Sequence, residues 1–225
     1  MTYGFCIKSK DDICSAVEKL GFVPLFKNQV PGFSLEEHVS PRAWFYGNEP
    51  GVWEWKGPVI RETGCAYGKF FAGRPGFISR EWFPDFANYR RDGYDFDSRY
   101  DDNLAPFQDK QLFDLLNENA PVSSRALKNL GNYRKGGRKG FETIITRLQM
   151  QCYVLASDFV YDIGKDGKEY GWGVTEYSTP EKFMGRDFTE NVYKCEPSES
   201  YGKILRYFKT LFPECDEKIL LKMIG

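Results

Sequence analysis

Seven cations and one acid lie between Arg125 and Arg147: Arg125, Lys128, Arg134, Lys135, Arg138, Lys139 and Arg147, against Glu142. In a chain of 225 residues with a formal net charge of −1, positive charge has been gathered onto one short segment. Guanidinium and ammonium groups at that density are suited to holding phosphate through charge-assisted hydrogen bonds. A nearly neutral chain does not bind polyanions in bulk, so any nucleic-acid contact must come from this local patch. Arg134, Lys135, Arg138 and Lys139 are expected on phosphates, with Thr143 and Arg147 nearest the bases of double-stranded DNA.

Three helices have to position these residues. Pro106–Asn119 sets Leu112, Leu115 and Leu116 on one apolar stripe. After the extended link Ala120-Pro121-Val122, Ser123 or Ser124 is placed to cap a second helix carrying Ala126, Leu127 and Leu130 and ending at Gly131. The turn NYRKGGRKG, with three glycines and four cations, cannot continue as helix. A third helix then buries Phe141, Ile144, Ile145 and Leu148 at i, i+3, i+4 and i+7. Its other side carries Arg138, Lys139, Thr143, Thr146 and Arg147, a face that would lie in a major groove. QCYVLASDFVYDI and KEYGWGVTEY follow as two strands joined by Gly164–Lys168, where Asp-Gly marks a hairpin. Lys165 and Lys168 at its tip would reach phosphate or a minor groove. Helix, basic turn, helix and hairpin outline a winged helix over residues 106–185. The same outline serves protein–protein contacts, so a non-catalytic adaptor with a protein partner stays open as the alternative.

Residues 1–105 form an aromatic-rich unit. Asp11–Leu20 reads as a helix with Ile13, Val17 and Leu20 on its apolar side, and Ser40-Pro41 opens a short helix through Trp44 and Phe45. Val52–Tyr67 contains Pro58 and shows no decisive periodicity. Residues 65–79 alternate as a hairpin turning at Ala72-Gly73. That hairpin leaves through EWFPDF (Glu81–Phe86), and the later one leaves through EYSTPEKF (Glu176–Phe183). The shared exit reads as an internal repeat. The expected fold class is therefore α+β, a winged-helix C-terminal unit packed on a related, winged-helix-like N-terminal unit. Residues 186–225 make a helical tail, with Ser198 or Ser200 capping a first helix striped by Tyr201, Leu205 and Phe208, and Pro213 starting a second.

Other chemistries are poorly supplied. The six cysteines form no C-x-x-C pair and the chain has one histidine, His38, so no metal site is expected. Asp92, Asp95, Asp97, Asp101 and Asp102 lack the spacing of a calcium loop and read as a cap-rich turn that would repel phosphate. Gly136-Gly137 lacks the order of a nucleotide-binding loop, and no cofactor is expected. The absence of a signal peptide or a membrane-length apolar run points to a soluble cytoplasmic protein with reduced thiols.

LFDLLNENAPVSSRALKNLG, followed by a helix ending in LQMQ and a hairpin, resembles the AlkZ/YcaQ-type winged-helix DNA glycosylases. The chain more closely resembles the smaller AlkZ-related proteins in WEWKGP (Trp53–Pro58), AYGKFF (Ala66–Phe71), EWFPDFANYRRDGYDF (Glu81–Phe96), GNYRKGGRKGF (Gly131–Phe141) and GWGV (Gly171–Val174). This likeness runs from Gly21 to about Tyr193. It implies a DNA-repair activity, hydrolysis of the N-glycosidic bond of alkylated bases. The larger enzymes use Gln-x-Gln or Gln-x-Asp at a helix end, and the matching pair here is Gln149 and Gln151. An alkylated purine is a good leaving group, so amide carbonyls that orient a water suffice. The enzymes are longer and carry the pair near their N-terminus, whereas here it falls where the third helix meets the hairpin.

Overall fold

The computed structural model describes residues 6–44 and 50–225. The chain begins with α1 (Lys10–Leu20), β1 (Phe22–Pro24), α2 (Pro41–Trp44), α3 (Val52–Thr63), β2 (Ala66–Phe71) and β3 (Arg74–Ile78). Next come α4 (Phe83–Arg91), α5 (Phe96–Asp101), α6 (Phe107–Asn119), β4 (Val122–Ser123), α7 (Ser124–Leu130), α8 (Phe141–Met150), β5 (Leu155–Ile163) and β6 (Glu169–Ser178). The chain closes with α9 (Pro180–Phe183), α10 (Arg186–Thr189), a 3₁₀ turn over Glu190–Tyr193, α11 (Pro197–Leu211) and α12 (Glu217–Ile224). This is an α+β arrangement around one antiparallel sheet.

Local chemistry accounts for the boundaries. Ser9 and Asp12 form a reciprocal capping box at the start of α1, and Ser123 Oγ accepts the Ala126 N–H (3.2 Å) at the start of α7. Pro58 sits inside α3, whose start is held by Glu54 reaching back to the Gly51 N–H (2.8 Å) and whose end turns at Gly64. This helix is the segment that periodicity left open. Ala72 (φ 51) and Gly73 (φ 77) are both left-handed, the geometry of a tight hairpin turn. Ser40 Oγ caps α2 as expected, while Phe45 lies outside the described residues.

The six strands form one sheet in the order β1-β3-β2-β5-β6-β4. Its centre is the seam between β2 and β5, where Tyr67 faces Ala156. On either side the same pattern recurs. α1 to β3 and α6 to β6 each run helix, strand, helix, helix, strand, strand, and in each run the first strand pairs antiparallel with the third. Both hairpins then enter a helix with proline in its first turn, Pro84 in α4 and Pro180 in α9. The units also exchange contacts. α3 packs on β5, with Arg61 Nη1 2.5 Å from Asp158 Oδ1, and α8 packs on β2, where the Lys69 N–H donates to Gln149 Oε1 (3.1 Å).

The tail covers the N-terminal unit. Ile204, Phe208, Leu220 and Ile224 join Phe22, Phe33, Phe70 and Phe86 in one apolar cluster. The cap of α11 is Glu196 followed by Pro197; Ser200 instead points inward, donating to Asp85 (3.1 Å) and accepting from Asn88 (3.0 Å). Asp216, rather than Pro213, starts α12 by accepting the Lys218 N–H (2.7 Å). Arg91 ties the elements together from inside. Its guanidinium donates to Glu181 Oε1 (2.9 Å), the Tyr193 hydroxyl (2.6 Å) and the Cys152 carbonyl (2.8 Å), and it lies 4.9 Å from the Tyr153 ring centre. Burial works against its charge, yet the Glu181 carboxylate and Tyr193 outweigh that and raise its pKa.

In the acidic segment, Asp95 caps α5 through the Ser98 N–H (2.9 Å) and Asp97 pairs with Lys110 (3.2 Å). Among the described residues no cluster of His, Cys, Asp or Glu is arranged to hold a metal ion, and no helix is long and apolar enough to cross a membrane.

Candidate nucleic-acid interface

α8 buries Phe141, Ile144, Ile145 and Leu148, the stripe expected from their spacing, against Leu112, Leu116, Leu127 and Tyr153. Burial of that stripe leaves Glu142 and Thr143 exposed and Thr146, Arg147 and Met150 half-buried. The turn before α8 is shaped by its glycines. The Arg138 N–H reaches the Asn132 carbonyl (2.7 Å), and a Cβ on Gly137 would come within 2.1 Å of that same oxygen. Only glycine allows this close approach.

The seven cations separate by what they touch. Arg125 pairs with Asp162 (2.9 Å), and that partner holds the Asp162 carboxyl below its usual range. Lys128 pairs with Glu142 (2.7 Å). Arg147 forms a two-pronged bond to Asp109. Arg134 and Arg138 donate to neutral amides, Asn129 Oδ1 (2.5 Å) and Gln111 Oε1 (3.1 Å). Lys135 and Lys139 are exposed, and no carboxylate pairs with either among the described residues. Uncompensated positive charge is thus concentrated on Arg134, Lys135, Arg138 and Lys139. An ion-paired arginine gains little from phosphate, because the contact would only exchange one anion for another.

Beside the exposed face of α8 runs an open groove of about 620 Å³, lined by Arg90, Thr143, Thr146, Arg147, Met150 and Gln151, with Glu142 at its rim. Lys69 enters from β2, donating from Nζ to Thr146 Oγ1 (3.0 Å) and lying 3.9 Å from Glu142. Arg90 comes from α4, its guanidinium donating to the Phe70 carbonyl (2.8 Å); burial lowers its pKa. Neither Arg90, which lines the groove, nor Lys69, which contacts its lining residues Thr146 and Glu142, is visible from local sequence, because both arrive from the other half of the chain.

The two glutamines are placed differently. Gln149 is 3% exposed; its amide nitrogen donates to the Ile145 carbonyl (3.1 Å) and its oxygen accepts from Lys69 N. Gln151 sits at the end of α8 and lines the groove, which Gln149 does not. The two side chains do not face one space.

The β5–β6 hairpin closes at Gly164–Lys168 as expected, with the Gly164 N–H on the Lys168 carbonyl (2.8 Å) and Gly167 at φ 77. Lys165 and Lys168 are exposed at its tip. Beside them stand Ile163, Tyr170 and Trp172, the last 80% exposed. At the root of this hairpin Lys56 of α3 is buried, its Nζ 4.1 Å from the ring centre of Phe159 and 4.5 Å from that of Trp53. Burial pulls its pKa down to about 8.

Compared with known proteins, residues 7–225 match the model of a family described as AlkZ related. No curated protein and no solved structure matches.

Proposed function

The chain belongs to the AlkZ-related family, and from that premise we propose that it binds duplex DNA as a winged-helix protein. α6, β4, α7, α8, β5 and β6 follow the winged-helix order, with the short first strand on the outer edge of the hairpin. In this reading α8 enters the major groove, Arg134, Lys135, Arg138 and Lys139 hold phosphates, and Thr143 is the α8 residue nearest the bases. Lys165 and Lys168 act from the wing. Arg147 contributes by fixing α8 to α6. The α1-to-β3 unit has the same order and serves as a second, related winged helix that supports the first.

The observation that carries the reading is the group of four cations without carboxylate partners at the entrance to α8. Four phosphate contacts give a log–log dependence of affinity on salt with a slope of about −3.6. Fluorescence anisotropy of a short duplex, titrated from low to physiological salt, measures it. Arg138→Glu/Lys139→Glu should abolish binding. A wild-type protein that does not bind DNA at low salt sinks the proposal.

DNA repair by glycosidic hydrolysis is the extension that the resemblance to AlkZ/YcaQ-type enzymes supports. In it Gln151 orients the water from the groove, and Gln149 acts behind it by anchoring the end of α8. A different observation favours a protein-binding adaptor, namely the exposed Trp172, Tyr170 and Ile163. Binding through them would depend little on salt, since an apolar contact releases few counterions.

A further inference from the structure

A second groove, of about 580 Å³, lies beyond the α8 groove. Its floor is apolar, made by Pro24, Phe26, Phe71 and Met223, and its rim carries Lys27, Arg74 and Lys222. All three cations are exposed, and none pairs with a carboxylate among the described residues. The Arg74 guanidinium donates to the Lys27 backbone carbonyl (3.0 Å), which ties the two segments that carry these cations together. The Glu36 carboxylate accepts from the Lys27 backbone N–H (2.8 Å) and does not line the groove.

Two connections place this groove next to α8. The β2–β3 turn forms the wall between them. Ala72 lines the second groove, and a methyl group on Gly73 would lie 3.8 Å from Met150 Sδ and from Thr146 Cγ2, both in the first. On the other side, Gly225 lies against the Arg90 guanidinium of the first groove, while Lys222 and Met223 just before it line the second. The two grooves therefore adjoin across the β2–β3 turn, with Thr146 and Met150 on one side and Arg74 and Lys222 on the other.

We infer that the groove of Lys27, Arg74 and Lys222 is a second phosphate-binding site, which takes the sugar–phosphate backbone of the same duplex that α8 contacts. This rests on the DNA-binding reading above. Charge decides the occupant: three unneutralised cations at the rim of an apolar floor favour a polyanion over an apolar peptide. Their position on the rim of an open groove that adjoins the α8 groove suits a backbone passing over it rather than an enclosed small molecule.

Lys27→Gln/Arg74→Gln/Lys222→Gln tests it on a duplex of about two helical turns, ~20 base pairs. Each neutralised phosphate contributes about 0.9 to the salt slope, so on this longer duplex the wild type should reach about −6.3, and the triple variant should flatten that by about 2.7, back to about −3.6, and lose affinity at low salt. Lys222→Gln alone, at an exposed helix position, should flatten it by about 0.9 and guards against misfolding of the triple variant. Hydroxyl-radical footprinting should show protection shortened on one flank only. An unchanged slope and footprint, with Arg138→Glu/Lys139→Glu still abolishing binding, overturns the second site and leaves the α8 reading standing. No wild-type binding at all overturns both.

Discussion

Arg147 and Asp109 meet in a two-pronged ion pair, Nε to Oδ2 at 2.6 Å and Nη2 to Oδ1 at 2.5 Å, with the aspartate side chain 1% exposed and the arginine side chain 39%. The pair staples α8 to α6 across 38 residues of sequence. A buried carboxylate needs a partner far more than a half-exposed arginine does. The Asp109 hydrogen bonds raise the Arg147 pKa.

Arg147→Ala should therefore act on folding first. We expect a loss of about 2–4 kcal/mol in urea melts, because Asp109 is left buried without its cation. Arg147→Ala combined with Asp109→Asn should recover more than half of that. Equal losses in Arg147→Ala and in the double variant would show that the uncompensated Asp109 charge is not the source of the loss.

The glutamines should separate in the same assay. Gln149→Ala removes the acceptor of the Lys69 N–H and the donor to the Ile145 carbonyl, and should cost about 1–3 kcal/mol. Gln151→Ala, at the helix end beside open groove, should change stability by less than about 0.5 kcal/mol. If base release from methylated DNA is found, Gln151→Ala should reduce it without loss of fold, and full release in that variant would remove the glutamine from the chemistry.

Lys56 predicts a pH dependence. Its ammonium is lost near pH 8 in the fold but near the usual 10.5 in the unfolded chain. Between those values the unfolded chain binds the extra proton, so this residue makes stability rise with pH across the window. Its cost is fully present below about pH 8. Desolvation alone would give about 3 kcal/mol over that window, and attraction to the Trp53 and Phe159 rings offsets about 1 of it. Lys56→Met should thus match or exceed the wild type at pH 7 by urea denaturation, with most of the advantage lost by pH 10. A Lys56→Met protein that gains nothing at pH 7 relative to pH 10 would contradict this.

Arg91 should be the least replaceable cation. Arg91→Met leaves the Cys152 carbonyl and Glu181 without their donor and should cost about 3–5 kcal/mol. Arg91→Lys should rescue little, since one ammonium cannot reproduce a planar fork reaching three acceptors. Thermal melting distinguishes this from a peripheral role, in which both variants would melt near the wild type.

Elements built from near neighbours in sequence are legible in the sequence itself. The α8 stripe, the Ser123 cap, the turn at Ala72-Gly73 and the Gly164–Lys168 tip each depend on residues a few positions apart. α3 was obscured because Pro58 reads as a breaker, although a helix with a firm start at Gly51 and Glu54 tolerates one missing donor there. β1 and β4 have three and two residues, too few for alternation to register. Their pairing with β3 and β6 gives the repeat its form, which the sequence showed only as two similar exits. The partners of the basic segment were hidden for another reason. Asp109, Asp162 and Gln111 neutralise or bind cations 27–38 positions away, so charge counted along the chain overstates what is free to meet phosphate.

The seam at Tyr67 and Ala156 has a consequence for how the two halves depend on each other. Because α3 rests on β5 and α8 rests on β2, each half is the surface against which the other's third helix was shaped. Related positions cannot drift independently. On one side of the seam the contact is an arginine with an aspartate, Arg61 and Asp158; on the other it is an amide with a backbone N–H, Gln149 and Lys69. The two units share an element order but meet through complementary rather than equivalent contacts, and exchanging α3 for α8 would leave Asp158 without its cation and the Lys69 N–H without its acceptor.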